Sequence, residues 1–336
     1  MKTSIIAAAF AALASSPALA ANAPTPLFAS DQPLHVTIKG PMSALVSDRS
    51  DKARGGTLAL AGSPDVYPIA LSARGITRRQ GDICQFPPLR VDFEGKPSGL
   101  FAGQNRLKLV THCRKSADFQ QKVLLEYAAY RLYNVLTPLS FRARLATIDY
   151  VDDSGRPYVT RTGFFLEDID DVGARNGMVK PRTPDRVPLA TIEPAAAARF
   201  ALFNYMIGNL DWSMRAGPVG EGCCHNGRLL SAAGGTVLTP VPYDFDFSGL
   251  VDAPYATPPE GFRIRNVRER VYRGYCAHGA QAQAVAAEMA ARRGELIATL
   301  SAIPGLEERT RARAAAYLDG FYRDLDAGKI VTTCLR

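Results

Sequence analysis

The sequence predicts an α+β protein of two lobes, strand-rich with one helix first and mainly helical afterwards. Three observations predict it. Short runs with alternating or β-branched residues, parted by Gly, Pro and Asp, fill residues 34–113. One long stretch, 118–136, carries Phe119, Val123, Tyr127 and Tyr130 at helical spacing. From residue 194 onward the apolar runs have helical period, at 194–207, 280–302 and 306–326. No internal repeat interrupts this order.

The chain begins MKTSIIAAAFAALASSPALA, with Lys2 before an apolar stretch and Ala18-Leu19-Ala20 after it. This is the pattern of a signal peptide, cleaved near Ala20. The apolar stretch is too short to span a bilayer, and no later run is long enough. A periplasmic or secreted protein without a membrane span is expected. Residues 21–33 are rich in Pro and Ala and read as a flexible lead.

Strands are expected at 34–38, 57–61, 67–73, 89–93 and 105–113. The helix 118–136 stops at Thr137-Pro138. A hairpin follows, with strands 141–151 and 158–167 around the turn Asp152-Asp153-Ser154-Gly155. Residues 168–177 read as a polar loop. Pro194 opens the next helix and Gly208-Asn209 closes it. The expected segments are a leader (1–20), a strand-rich extension (21–84), a first lobe (85–167) and a second lobe (168–336).

Composition is globular, with 47% apolar and 21% charged residues and a formal net charge of +8. A moderate basic excess suits anionic partners such as nucleotides and phosphates. The arginines are scattered and form no dense block, so nucleic acid is not an expected partner. Six cysteines (Cys84, Cys113, Cys223, Cys224, Cys276 and Cys334) in an exported chain imply disulfides. Cys84 with Cys113 is one pairing, and Cys223 or Cys224 with Cys276 is another. Sequence does not choose among the connectivities.

Several polar residues stand where their chemistry needs an explanation. Glu126 lies on the apolar face of the helix, where a carboxylate needs a partner. Lys108 sits among the aliphatics of a strand and is the expected partner. Asp211, in GNLDWSM just beyond a helix end, is placed to act as a general base toward a hydroxyl. Asn226 precedes a short apolar strand. In PVPYDFDFSGL (240–250), Asp244 and Asp246 end another strand, TVLTPV (236–241), with Tyr243, Phe245 and Phe247 interleaved. If the strand continued, both carboxylates would share one face and the aromatics the other. Oxygen ligands of this kind suit a hard cation such as Mg²⁺ or Mn²⁺.

In chain order, this set resembles the exported CotH kinase-like family of atypical kinases. The matching stretches are FAGQNRLKL (101–109), LLEYAAYRLYNVLTP (124–138), GNLDWS (208–213), HNGRLL (225–230) and PYDFDFSG (242–249). The resemblance implies a bilobal protein-kinase-like fold, with a strand-rich N-lobe holding one αC-like helix and a mainly helical C-lobe. It implies ATP and Mg²⁺ as cofactors. Lys108 would contact the α- and β-phosphates, held by Glu126. Asp211 would be the catalytic aspartate, with Asn226 and Asp244 as metal ligands and Asp246 as a further one. FFLED (164–168), including Glu167, would form the hinge that meets adenine. Two departures are visible: Asp211 and Asn226 are separated by RAGPVGEGCC, and Gly95, Gly99 and Gly103 form no tight phosphate-covering loop.

The implied activity is transfer of a phosphoryl group from ATP to a hydroxyl on a protein or peptide. Two alternatives stay open: a non-catalytic kinase-like binding or structural protein of the cell envelope, and a small-molecule kinase.

Overall fold

The computed structural model describes residues 23–330 and 333–335. The expected leader, 1–20, lies outside the described residues. The first strand is β1 (Leu34–Gly40), followed by a short helix α1 (Met42–Asp48) and by β2 (Arg54–Leu60), β3 (Val66–Ala73), β4 (Leu89–Phe93) and β5 (Arg106–Val110). Helix α2 (Ala117–Leu136) leads to the hairpin β6 (Ala143–Asp152) and β7 (Pro157–Leu166). Then come α3 (Ile169–Arg175), α4 (Pro194–Ile207), the small hairpin β8 (Gly227–Leu230) and β9 (Thr239–Pro242), and the helices α5 (Gly279–Ala291), α6 (Arg293–Ser301) and α7 (Glu308–Asp326).

Strands β1 to β7 close into one barrel in the order β1-β2-β3-β4-β5-β7-β6. The closing contact is parallel: β1 lies along β6 from Leu34 opposite Ala146 to Gly40 opposite Asp152. Every other neighbouring pair in the barrel is antiparallel. Inward residues alternate along the strands, and Val36, Ile38, Leu58, Ile69, Val91, Leu107 and Ile148 are fully buried inside. Burying each such side chain contributes about 1.5–3 kcal/mol.

The bilobal protein-kinase-like fold is therefore corrected. Among the described residues, a closed seven-stranded mixed barrel with seven α-helices stands in place of a strand-rich lobe hinged to a helical one. Local alternation marks the strands but carries no information about β1 reaching across the chain to β6. The strand-rich segment before residue 84 is thus part of the same closed sheet as β4 to β7.

Helix α2 packs between the outer face of β6 and β7 and helix α6. It is buried nearly all round, so even Gln121, Lys122 and Glu126 are out of solvent. One hydrophobic core joins α2, α4, β9 and α5 to α7. The polar run 168–177 is not a plain loop: it holds α3, whose N-cap Asp168 accepts a hydrogen bond from the Asp170 amide. The helix expected over 280–302 divides at Arg292 into α5 and α6. No helix among the described residues is long and apolar enough to cross a membrane.

Three disulfides are present: Cys84–Cys113, Cys223–Cys224 and Cys276–Cys334. The first matches the expected pair. The expected bond from Cys223 or Cys224 to Cys276 does not form, because the two neighbours bond to each other and Cys276 reaches Cys334. Cys84–Cys113 closes a 29-residue loop that contains β4 and β5. Replacing both by Ser is expected to lower stability by about 3 kcal/mol through the freed unfolded chain. Urea unfolding under non-reducing conditions measures this as a fall in midpoint.

Candidate functional site

Helix α4 ends as its sequence directs. Gly208 adopts a left-handed φ of 66°, and its amide closes the last turn. A hydroxyl of Tyr317 packs so near Gly208 that no side chain fits there. Beyond it, Asn209 is buried and donates to the Asn204 side-chain oxygen at 2.9 Å. Asn209 in turn accepts from the Asp211 amide at 3.1 Å, while its carbonyl accepts from the Trp212 indole at 2.9 Å. This chain of bonds fixes Asp211 at the end of a rigid helix.

Asp211 is held from its other side by the segment leading into β8. His225 Nε2 lies 2.7 Å from Asp211 Oδ1. Asn226 Nδ2 donates to Asp211 Oδ2 at 2.9 Å and to its backbone oxygen at 2.7 Å. The long separation of these residues is bridged by a backbone pairing of Ser213 with His225, so the intervening chain loops out and returns. The bond to Asp211 pushes the His225 pKa up. A carboxylate has about four lone-pair positions, so Asp211 retains room for a further donor.

Asp244 lies two residues past β9, and the strand does not continue through it. Its φ is +64°, and that of Asn226 is +46°. Left-handed backbone costs a non-glycine residue free energy and clusters at functional sites. Asp244 is locked by its amide, which donates to the hydroxyl of Tyr130 on α2 at 2.9 Å. The expected alternation of acids and aromatics is thus replaced by a turn. Tyr243 and Phe245 are buried, Asp246 is buried, and Asp244 is half-exposed. Tyr255 donates to Asp246 at 3.0 Å.

The expected Lys108–Glu126 pair is corrected. Arg78, from the turn between β3 and β4, meets Glu126 at 3.3 Å, with both side chains buried. Arg78 also donates to the Thr111 carbonyl at 2.6 Å. Its Nε is buried without a hydrogen-bond partner. Lys108 instead stands 4.4 Å from the ring centre of Tyr243, which is cation–π contact. Arg228 approaches the same ring at the same distance. Burial, and then the Arg74 and Arg228 charges, pull the Lys108 ammonium down to about 7.

Glu167 is also committed elsewhere. It is buried at the end of β7, accepts from Arg175 Nε at 2.9 Å and accepts from the Arg142 amide at 2.9 Å. Its side chain is part of a structural ion pair with Arg175.

Five of the expected residues converge. Glu126, Asp211, Asn226, Asp244 and Asp246 all line one cavity of about 460 Å³, together with Arg74, Arg78, Arg228 and His225. Lys108 and Glu167 are not among its lining residues. The acids crowd one another. Burial, then Asp246, pushes the Glu126 carboxyl well above its usual range. Burial, then Asp244, pushes Asp246 up to about 6. Excess negative charge in a buried cavity is relieved by a cation. Among the described residues no three His, Cys, Asp or Glu side chains form a ready ligand cage. Asp244, Asp246 and the Asn226 side-chain oxygen are the available donors.

Sequence reasoning missed Arg74, Arg78 and Arg228. Three arginines fall within RGITRR (74–79), between two strands, which is the one signal that would have marked the first two. No protein-family model matches the chain, and a search of curated proteins finds no match.

Removing one partner of a buried ion pair leaves the other charge uncompensated. Arg78→Met is expected to destabilise the fold by about 3 kcal/mol. Adding Glu126→Met to it is expected to restore part of that loss. A double-mutant cycle read by urea unfolding checks the sign of the coupling.

Proposed function

We propose that this chain is an exported phosphotransferase that moves the terminal phosphoryl group of ATP, with Mg²⁺ or Mn²⁺, to a hydroxyl of a protein or peptide. The observation that carries the reading is the shared cavity. Asp211, aligned by Asn226 and His225, lies in it together with the acids Asp244 and Asp246 and the guanidinium groups of Arg74, Arg78 and Arg228. Phosphoryl transfer requires positioning and charge neutralisation rather than covalent chemistry. Carboxylates for a cation beside guanidiniums for phosphate oxygens supply both.

In this reading the acceptor hydroxyl gives its proton to Asp211 as its oxygen bonds the γ-phosphorus. The bond from that phosphorus to the bridging oxygen breaks, and ADP leaves with the electron pair. Asp244 and Asp246, with the Asn226 oxygen, would hold the divalent cation, which when bound would supply charge neutralisation. Arg78, with one buried nitrogen unpaired, and Arg74 take the phosphate-gripping role that the sequence assigned to Lys108.

The chain order that resembles CotH kinase-like proteins supports the same chemistry, here carried on a closed barrel; sites are grafted on many scaffolds. The leader-like residues 1–20 and the three disulfides support export.

A second reading, a nucleotide-binding protein of the envelope that does not turn over, is favoured by one observation. The lysine–glutamate pair that positions phosphates in kinases is absent, with Lys108 on Tyr243 and Glu126 on Arg78.

Incubation of the mature protein with γ-labelled ATP and Mg²⁺ or Mn²⁺ separates the two. Transfer to protein is expected. Asp211→Asn is expected to slow it by roughly 10²–10⁴-fold, the usual worth of a general base. Asp244→Ala is expected to remove the metal dependence along with the activity. A nucleotide-induced rise in melting temperature without any transfer would establish the second reading instead. Neither transfer nor a thermal shift would sink both.

A further inference from the structure

A second cavity, of about 350 Å³, opens beside the first. Lys180, Arg182, Thr183, Glu221, Cys223 and Arg228 line it. Glu221 and Arg228 line both cavities, so the two adjoin. The walls are built rather than loose. Asp185 accepts from the amides of Gly220 at 2.7 Å and Gly222 at 2.8 Å, which joins the segment before α4 to the loop before β8. Cys223 is bound to the same segment, its amide donating to the Pro184 carbonyl at 3.0 Å and to the Thr183 hydroxyl at 3.2 Å.

The Asp185 carboxylate is held by backbone amides, which keep its pKa down and its charge in place, and it is not among the residues that line the groove. Lys180 and Arg182 are exposed, and neither has an ion-pair partner among the described residues. Arg228 is half-buried, stacked on Tyr243 and bonded to the Gly227 carbonyl at 3.0 Å. Three cations therefore line the groove against one carboxylate, Glu221. A basic channel that ends at Asp211 and Asp244 attracts a carboxylate-rich chain and repels a basic one.

We propose that this groove seats the acceptor as an acidic peptide segment, whose carboxylates lie on Lys180 and Arg182 while its hydroxyl enters the cleft past Arg228. The acceptor role rests on the phosphotransferase reading; the binding of an acidic segment does not. The groove gives the site its substrate class: a Ser or Thr flanked by Asp and Glu.

The probe is a fluorescein-labelled peptide with one serine flanked by glutamates, compared with the same peptide flanked by lysines. Anisotropy of the mature protein is measured without nucleotide. The acidic peptide is expected to bind at least about tenfold more tightly, with affinity that falls as salt is added. The double variant Lys180→Glu, Arg182→Glu is expected to lose this preference while keeping its melting temperature and its shift with Mg-ATP. Equal binding of the two peptides, or unchanged binding in the double variant, overturns the groove assignment. So does binding to phosphatidylglycerol vesicles with none to the acidic peptide. Peptide binding without label transfer overturns the phosphotransferase reading and leaves the groove assignment standing.

Discussion

A carboxylate on the buried side of a helix must meet a cation, and in this protein Glu126 meets Arg78. The rest of the cleft depends on that contact. Arg78 belongs to the turn after β3, so pairing it with Glu126 ties this turn to α2. The base of the turn is anchored twice more. Arg49, at the end of α1, donates to the carbonyls of Arg79 and Cys84, and the Cys84–Cys113 bridge ties the segment to the chain beyond β5. Without a buried acid on α2 there would be no reason for an arginine to be held there. The residues Arg74 to Arg78 would then not form one side of the cavity.

The opposite side is set by two aromatic or small residues with local jobs. Tyr130, one turn beyond Glu126 on α2, holds the Asp244 amide and so keeps a left-handed aspartate in place. Gly208 ends α4 sharply enough that Asn209 turns back into the core and presents Asp211. Both constraints are preorganisation: the polar groups of the cavity are fixed by bonds within the protein before anything binds. The mixture of charge follows. Carboxylates from α2 and the segment after β9 meet guanidiniums from the β3–β4 turn and from β8.

Much of this was legible in the sequence. The strand at 89–93 and the helix at 194–207 have the bounds that alternation, the opening proline and the closing glycine indicate. Glu126, Asp211, Asn226, Asp244 and Asp246 each stand out as a polar residue in an apolar or turn setting, and these are the residues that meet. What was not legible depends on contacts between distant parts of the chain. Local spacing points to a strand lysine as the partner of Glu126, whereas Arg78 arrives from a turn 48 residues earlier. Lys108 has the alternation of a strand residue, but nothing local shows that an aromatic ring from beyond β9 will cover it. The two-lobed architecture failed for the same reason, since periodicity reveals a strand and not its neighbour.

The parallel contact of β1 with β6 has a consequence for the order in which the molecule is made. Leu34 finds Ala146 only after the intervening strands and α2 exist, so the sheet stays an open ribbon with β1 at its edge until then. An unpaired edge strand is a template for joining other chains. The apolar inner residues of β1, Val36 and Ile38, wait in that state through most of the synthesis of the barrel. The risk of misassembly is therefore concentrated in a single early segment, and it ends when the hairpin of β6 and β7 arrives to close the ring.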